Sequence, residues 1–186
     1  LNSKGGIEAD LTVTFINKNK FRIVTGSSVR THDKKHILKY LDDSVNFKDI
    51  TDDYACLGIF GPKSRNLISK VFGQNFSNDD FKFGTGKYIQ FNEIQMWFQR
   101  ISYVGELGWE IYIPIEKSKE IYETIVSEEK EFKLVHAGAH SMDIMRMEKG
   151  YLHWGHDISP AENPYEANLS FALKINKKGD FLGKNY

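Results

Sequence analysis

Leu11-Thr12-Val13-Thr14-Phe15-Ile16 and Phe21-Arg22-Ile23-Val24-Thr25, joined by Asn17-Lys18-Asn19-Lys20, decide how this chain is read. Both flanks are rich in β-formers and the asparagines suit turn dihedrals, so the stretch predicts a hairpin. The period then changes. From Thr31 to Leu41, Ile37, Leu38 and Leu41 recur at helical spacing, with His32, Lys34, Lys35 and Lys39 on the polar side. A hairpin followed directly by a helix departs from the strict β–α alternation of a parallel sheet. It predicts an α+β fold with mostly antiparallel sheets and flanking helices.

Working outward, Tyr54 to Phe60 reads as a continuous apolar strand that runs into Gly61-Pro62 and a helix, Ser64 to Phe72, closed by Gly73. Asn92-Glu93 separates two strand-like runs, Tyr88 to Phe91 and Ile94 to Ile101. A further strand is expected at Glu110 to Pro114. Glu116 to Glu128 predicts a helix with Ile121, Tyr122, Ile125 and Val126 as its core face. Ala139 to Lys149 predicts another, whose apolar face carries Met142, Ile144, Met145 and Met147. Pro160 and Pro164 break regular structure before a short strand at Phe171 to Leu173. The pattern divides as residues 1–48, part of a first subdomain, 49–135, a second α+β subdomain, and 136–186, a helix and return segment.

Composition bounds the function. Lysine plus arginine and aspartate plus glutamate are 25 each, so no net field draws the chain to nucleic acid; a small ligand fits this balance better. No apolar stretch approaches the ~20 residues that span a bilayer, so no membrane is expected as a partner. Cys56 is the single cysteine. It reads as a buried small hydrophobe in a reducing compartment, since one thiol builds neither a disulfide framework nor a zinc cage. His136 and His140 are four apart, as in a helical zinc pair, but lack the intervening glutamate and a third ligand; His153 and His156 fall in a loop. No metal is expected. Gly84-Thr85-Gly86 lacks the third glycine of a dinucleotide fingerprint, so a flavin, if the complete enzyme has one, binds elsewhere.

Three motifs carry chemistry. Arg100-Ile101-Ser102-Tyr103-Val104-Gly105-Glu106-Leu107-Gly108-Trp109-Glu110 sets two glycines three apart, in a tight turn that lets a ligand or a neighbouring backbone come close. Tyr103 offers an aromatic face and Glu110 two acceptors for adjacent N–H donors on a flat heterocycle. A structural glutamate in a hairpin is the competing reading. In Gly5-Gly6-Ile7-Glu8-Ala9-Asp10-Leu11-Thr12-Val13, Asp10 either caps a turn, as spacing alone favours, or points into a cleft as a base. Arg146, between methionines on an apolar helix face, needs a carboxylate from the protein or from a ligand, with the internal pair favoured.

Taken in chain order, 5–13, then 102–110, then 146–151, these stretches resemble the glycine-cleavage T-protein (aminomethyltransferase) superfamily. Arg146-Met147-Glu148-Lys149-Gly150-Tyr151, Asn163 to Leu169 and Lys174 to Lys184 extend the match to nearly the whole chain. Gly108-Trp109-Glu110 and Glu148-Lys149-Gly150-Tyr151 resemble the folate domain of the sarcosine and dimethylglycine dehydrogenase branch. The resemblance implies an aminomethyltransferase folate-binding fold without its C-terminal barrel and extreme N-terminal part. It implies tetrahydrofolate as cofactor, with Asp10 catalytic and Tyr103, Glu110, Arg146 and Trp154 around the folate. It also implies transfer of a one-carbon unit from an N-methyl amine or its imine to give 5,10-methylenetetrahydrofolate, with a glycine-cleavage aminomethyltransferase, a folate-dependent demethylase or a non-catalytic folate-binding scaffold as alternatives, and FAD only in a separate domain of a longer protein. A flavin domain or a lipoyl carrier protein is the implied partner, in the cytoplasm or the mitochondrial matrix. One departure is local: Thr25-Gly26-Ser27-Ser28 stands where glycine-cleavage members carry an asparagine-containing run.

Overall fold

The computed structural model describes residues 1–185. It is α+β, with a two-stranded sheet and a four-stranded antiparallel sheet. Two compact units divide the chain. The first comprises Leu1–Phe15, Phe21–Asn46 and the stretch from Leu152 onward; the second comprises Ile16–Lys20 and Phe47–Tyr151.

The second unit contains the large core. Strands β3 (Tyr54–Phe60), β4 (Gly86–Phe91), β5 (Ile94–Gln99) and β6 (Gly108–Pro114) assemble in the order β3-β6-β5-β4. Because cross-strand partners share a face, register sorts their side chains. Ile59 pairs with Trp109, Leu57 with Ile111, Phe98 with Ile111, and Ile89 with Met96. This face is covered by α2 (Ser64–Phe72) and α3 (Ser118–Val126), which bury Leu67, Ile68, Phe72, Ile121 and Ile125 in one cluster with Trp109, Ile111 and Ile113. Helix α2 ends as read from its sequence, on Gly73 in the left-handed region at φ 63°. The opposite face carries the other parity: Cys56 beside Tyr112, Tyr112 beside Trp97, and Glu110 beside Gln99.

The first unit holds the hairpin, β1 (Thr12–Asn17) and β2 (Lys20–Val24), apart from its tip, and helix α1 (Arg30–Tyr40). Its burial is inverted. Thr14, Arg22 and Asp33 are buried, whereas Val13, Phe15, Phe21, Ile23 and Leu38 are exposed.

Several expectations change. Phe171 to Leu173 is no strand; Ser170–Ala172 forms one 3-10 turn with Phe171 exposed. The helix expected at 116–128 begins with a 3-10 turn, ends at Val126, and is followed by the short α4 (Glu129–Phe132). Tyr122 lies outside its core face, at 42% exposure. In α5 (Ala139–Glu148) the methionine face is open, and Arg146 is the buried residue. Cys56, expected inside, is exposed, because its position in β3 has the parity of the polar sheet face.

Candidate functional site

Two groups of chemistry-bearing side chains stand out, one in each unit. In the second, Glu110 projects from β6 onto the face opposite the core. The Tyr112 hydroxyl, two residues on and therefore on the same face, donates to Glu110 Oε2 at 2.5 Å. Glu110 is half-buried and has no ion-pair partner among the described residues. Burial pushes its carboxyl above the usual carboxylate range, and the Tyr112 hydrogen bond only partly offsets this. Tyr112 is raised in turn, by burial and then by the Glu110 charge. Cys56, across the ladder, is exposed as a residue, but its sulfur is flanked by these two large side chains. Burial, and after it the Glu110 charge, pushes its thiol up to about 12. Beside Glu110 on β5, the Trp97 indole N–H donates to Gln99 Oε1 at 3.1 Å, with both side chains buried.

The glycine turn before β6 turns out to serve protein packing. Gly105 sits at φ +68°, and a side chain on it would meet Lys149 Cγ at 2.4 Å; on Gly108 it would meet the carbonyl oxygen of Ile59 at 2.7 Å. The close approach left open between ligand and backbone is therefore made by β3 and by Lys149. Tyr103 lies half-buried in this turn. Arg146 finds its carboxylate within its own helix: Nε donates to Asp143 Oδ1 at 2.7 Å, and Nη1 donates to the Tyr151 carbonyl at 3.0 Å. That is the internal pair its sequence position favoured.

In the first unit Asp10 precedes β1 and keeps much of its surface in water. Partial burial, and after it the charge of Asp33, push its carboxyl above the usual range, an effect screened by the water that still reaches it. Asp33 is buried on α1. Its Oδ2 accepts from the Thr25 hydroxyl and its Oδ1 faces His32 Nδ1 at 2.9 Å. His32 Nε2 lies 3.2 Å from Glu8 Oε1. Trp154 places its ring 5.3 Å from that of His32 and donates its indole N–H to the Ile7 carbonyl at 2.7 Å. His32 thus lies beside Trp154, one of the expected site residues. Glu110, Tyr103 and Arg146 belong to the other unit.

Glu8, Thr25, His32, Asp33 and Tyr112 escaped the sequence reading. For Tyr112 a signal existed: Glu110 and Tyr112 alternate along a strand. Asp33 had none, because the apolar face read in this helix, at Ile37, Leu38 and Leu41, is not the buried one: Leu38 is exposed and Asp33 is buried. Among the described residues no three His, Cys, Asp or Glu side chains are grouped to hold a metal ion, and no helix is long and apolar enough to cross a membrane. An open hollow lined by Tyr165, Ser170 and Leu173 to Lys177 contains none of the expected site residues.

Comparison with known proteins defines the class to which this fold belongs. The family model described as the GCVT N-terminal domain matches residues 1–177. The chain belongs to that family. It is 35% identical to the mitochondrial dimethylglycine dehydrogenase of Homo sapiens over 191 residues, 99% of this chain and 22% of that protein. To the aminomethyltransferase of Halothermothrix orenii it is 30% identical, over 97% of this chain and 50% of that protein. The solved glycine cleavage system aminomethyltransferase T from Bartonella henselae superposes with a TM-score of 0.82 over the whole chain and 49% of its own, at 24% identity. The fold is therefore that of the aminomethyltransferases. The chain spans about a fifth of the length of the dehydrogenase relative and half that of the transferase.

Proposed function

We propose that this chain is the folate-binding part of a tetrahydrofolate-dependent one-carbon enzyme. It captures the methylene unit of the imine that a flavin-dependent two-electron oxidation makes from an N-methyl amine, to give 5,10-methylenetetrahydrofolate. The observation that carries the reading is Glu110, a half-buried carboxylate with one oxygen held by Tyr112 and no ion-pair partner among the described residues. Such a group has acceptor capacity left over and is stabilised by a ligand that brings N–H donors. A pterin edge presents such donors in a flat ring, and the half-buried Tyr112 on the same sheet face supplies aromatic surface for it. The residues fit the group.

When bound, tetrahydrofolate supplies the nitrogens that accept the one-carbon unit. Glu110 and Tyr103 would orient it, so that attack is effectively intramolecular. Asp10 would take up the proton released at nitrogen or balance positive charge developing there. Trp154 would line the cofactor near Asp10. Arg146, engaged with Asp143 and the Tyr151 carbonyl, supports this reading as a brace for the turn after α5, with folate contact secondary. The imine would come from a flavin domain carrying FAD; transfer from a lipoyl carrier protein is the second reading, favoured by the 30% identity to an aminomethyltransferase. The cytoplasm or the mitochondrial matrix suits either.

Replacing Asp10 by alanine in the full-length protein tests the assignment. Formation of methylenetetrahydrofolate is expected to vanish while folate affinity stays within about tenfold, or ~1.4 kcal/mol. Product formed at the wild-type rate would remove Asp10 from the chemistry.

A further inference from the structure

Phe60 closes β3 beside two positions that carry no side chain. Register sets Phe60 opposite Gly108 and Gly58 opposite Glu110, so all four positions point to one face of the sheet, the face of Glu110 and Tyr112. Directly opposite Cβ positions in such a ladder lie about 4.5–5.5 Å apart, so whatever fills the place of a Gly58 side chain stands beside Glu110. The Phe60 ring fills it. A Cβ on Gly58 would meet Phe60 Cε2 at 2.5 Å and Cζ at 2.7 Å, and a Cβ on Gly108 would meet Phe60 Cδ1. Cζ is the far end of the ring, yet it lies at the level of a Cβ. The side chain is therefore laid along the sheet instead of standing out from it.

This arrangement keeps the approach to Glu110 low and open. Gly58 is exposed and Phe60 is half-buried. Phe60 is not part of the hydrophobic cluster on the other face of the sheet, and among the described residues it makes no contact with another ring or with a cation. A larger side chain at position 58 or 108 would stand where the ring lies. The two glycines thus leave an aromatic surface next to a carboxylate with acceptor capacity to spare.

We propose that Phe60 is a ligand-binding residue, the aromatic floor for the flat ring whose N–H edge Glu110 holds, with Gly58 and Gly108 keeping the space for it clear. The acid asks for donors and the floor asks for apolar area. Together they select a flat heterocycle over a small aliphatic amine, which satisfies the acid alone. The inference rests on the reading of Glu110 as the group that holds the pterin. A ring laid over a glycine on an edge strand also steadies a sheet, so stability has to be measured apart from binding.

The experiment is calorimetry on the full-length protein with tetrahydrofolate and with tetrahydropterin, which lacks the folate tail. Phe60→Leu removes the aromatic floor and is expected to weaken both ligands by roughly tenfold. Gly58→Ala keeps the ring but puts a methyl group where it lies, and is expected to weaken both as well. Urea midpoints of the ligand-free variants report the structural role. A lowered midpoint in Phe60→Leu with both affinities at the wild-type value overturns the proposal. A loss confined to tetrahydrofolate places the contact on the tail and overturns it too. Should Phe60→Leu fail to fold, Gly58→Ala decides, and wild-type affinity there is the overturning result. Glu110→Gln separates this inference from the one beneath it. If that variant binds tetrahydropterin more weakly and Phe60→Leu does not, the floor is wrong and the folate reading stands. If Glu110→Gln binds it as the wild type does, the placement on which the floor depends is lost.

Discussion

The two units use the same chain chemistry in opposite ways. In the second, the buried side chains are overwhelmingly apolar, with Trp109, Ile111, Ile113, Ile68 and Ile121 at 0% exposure. In the first, the buried set includes Thr14, Arg22 and Asp33, while Val13, Phe15 and Phe21 are more than half exposed. Apolar burial drives folding in proportion to area, and buried polar groups are tolerated only when partnered. The second unit therefore carries its own hydrophobic driving force. The first buries the carboxylate of Asp33 and partners it with the less buried Thr25 and His32, an arrangement that positions charge. The difference teaches where to look for stability and where to look for chemistry.

The comparison breaks most readily at Trp109. Its ring is enclosed by Phe76 and Phe81, with the guanidinium groups of Arg65 and Arg100 at 5.4 and 5.5 Å. Trp109→Ala is expected to cost about 3–5 kcal/mol in denaturant unfolding. A loss below about 1 kcal/mol would mean that this core is not the source of stability.

Glu110 sharpens the contrast at intermediate size, because it is a polar group placed against an apolar unit. Its carboxyl is raised in the folded state, so folding favours the protonated form. That contribution is fully present below the ordinary value of 4.5 and is lost as pH rises through the higher folded value. Urea midpoints of the ligand-free protein are therefore expected to fall from pH 4 to pH 7 more steeply in the wild type than in Glu110→Gln. Parallel curves would show that Glu110 is fully solvated.

The smallest effect is expected on the hairpin. Phe15 and Phe21 meet edge to face at 5.5 Å but remain exposed. Phe15→Ser or Phe21→Ser is expected to change stability by less than about 1 kcal/mol in denaturant unfolding. A cost near that of Trp109→Ala would erase the distinction between the units.

The sequence legibly specified elements whose signals are local. Tyr54–Phe60 and Ser64–Phe72 were read to the residue, because an apolar run stopped by Gly-Pro and a helix closed by glycine depend on neighbours in the chain. The hairpin and its following helix were likewise placed within a residue or so. Burial was less legible. Cys56 was expected inside and lies outside, and α5 turns its methionines to the surface while hiding Arg146.

By itself, then, the sequence determined the order and type of most elements, the α+β class, and the family through motifs in register. Only the tertiary structure decided that Tyr112 holds Glu110, that Asp143 takes Arg146, and that His32 stands between Asp33 and Glu8. The reason is physical. Periodicity and turn chemistry act over a few residues, whereas the partner of a buried charge is chosen by strand register and packing, which the chain fixes only when it folds.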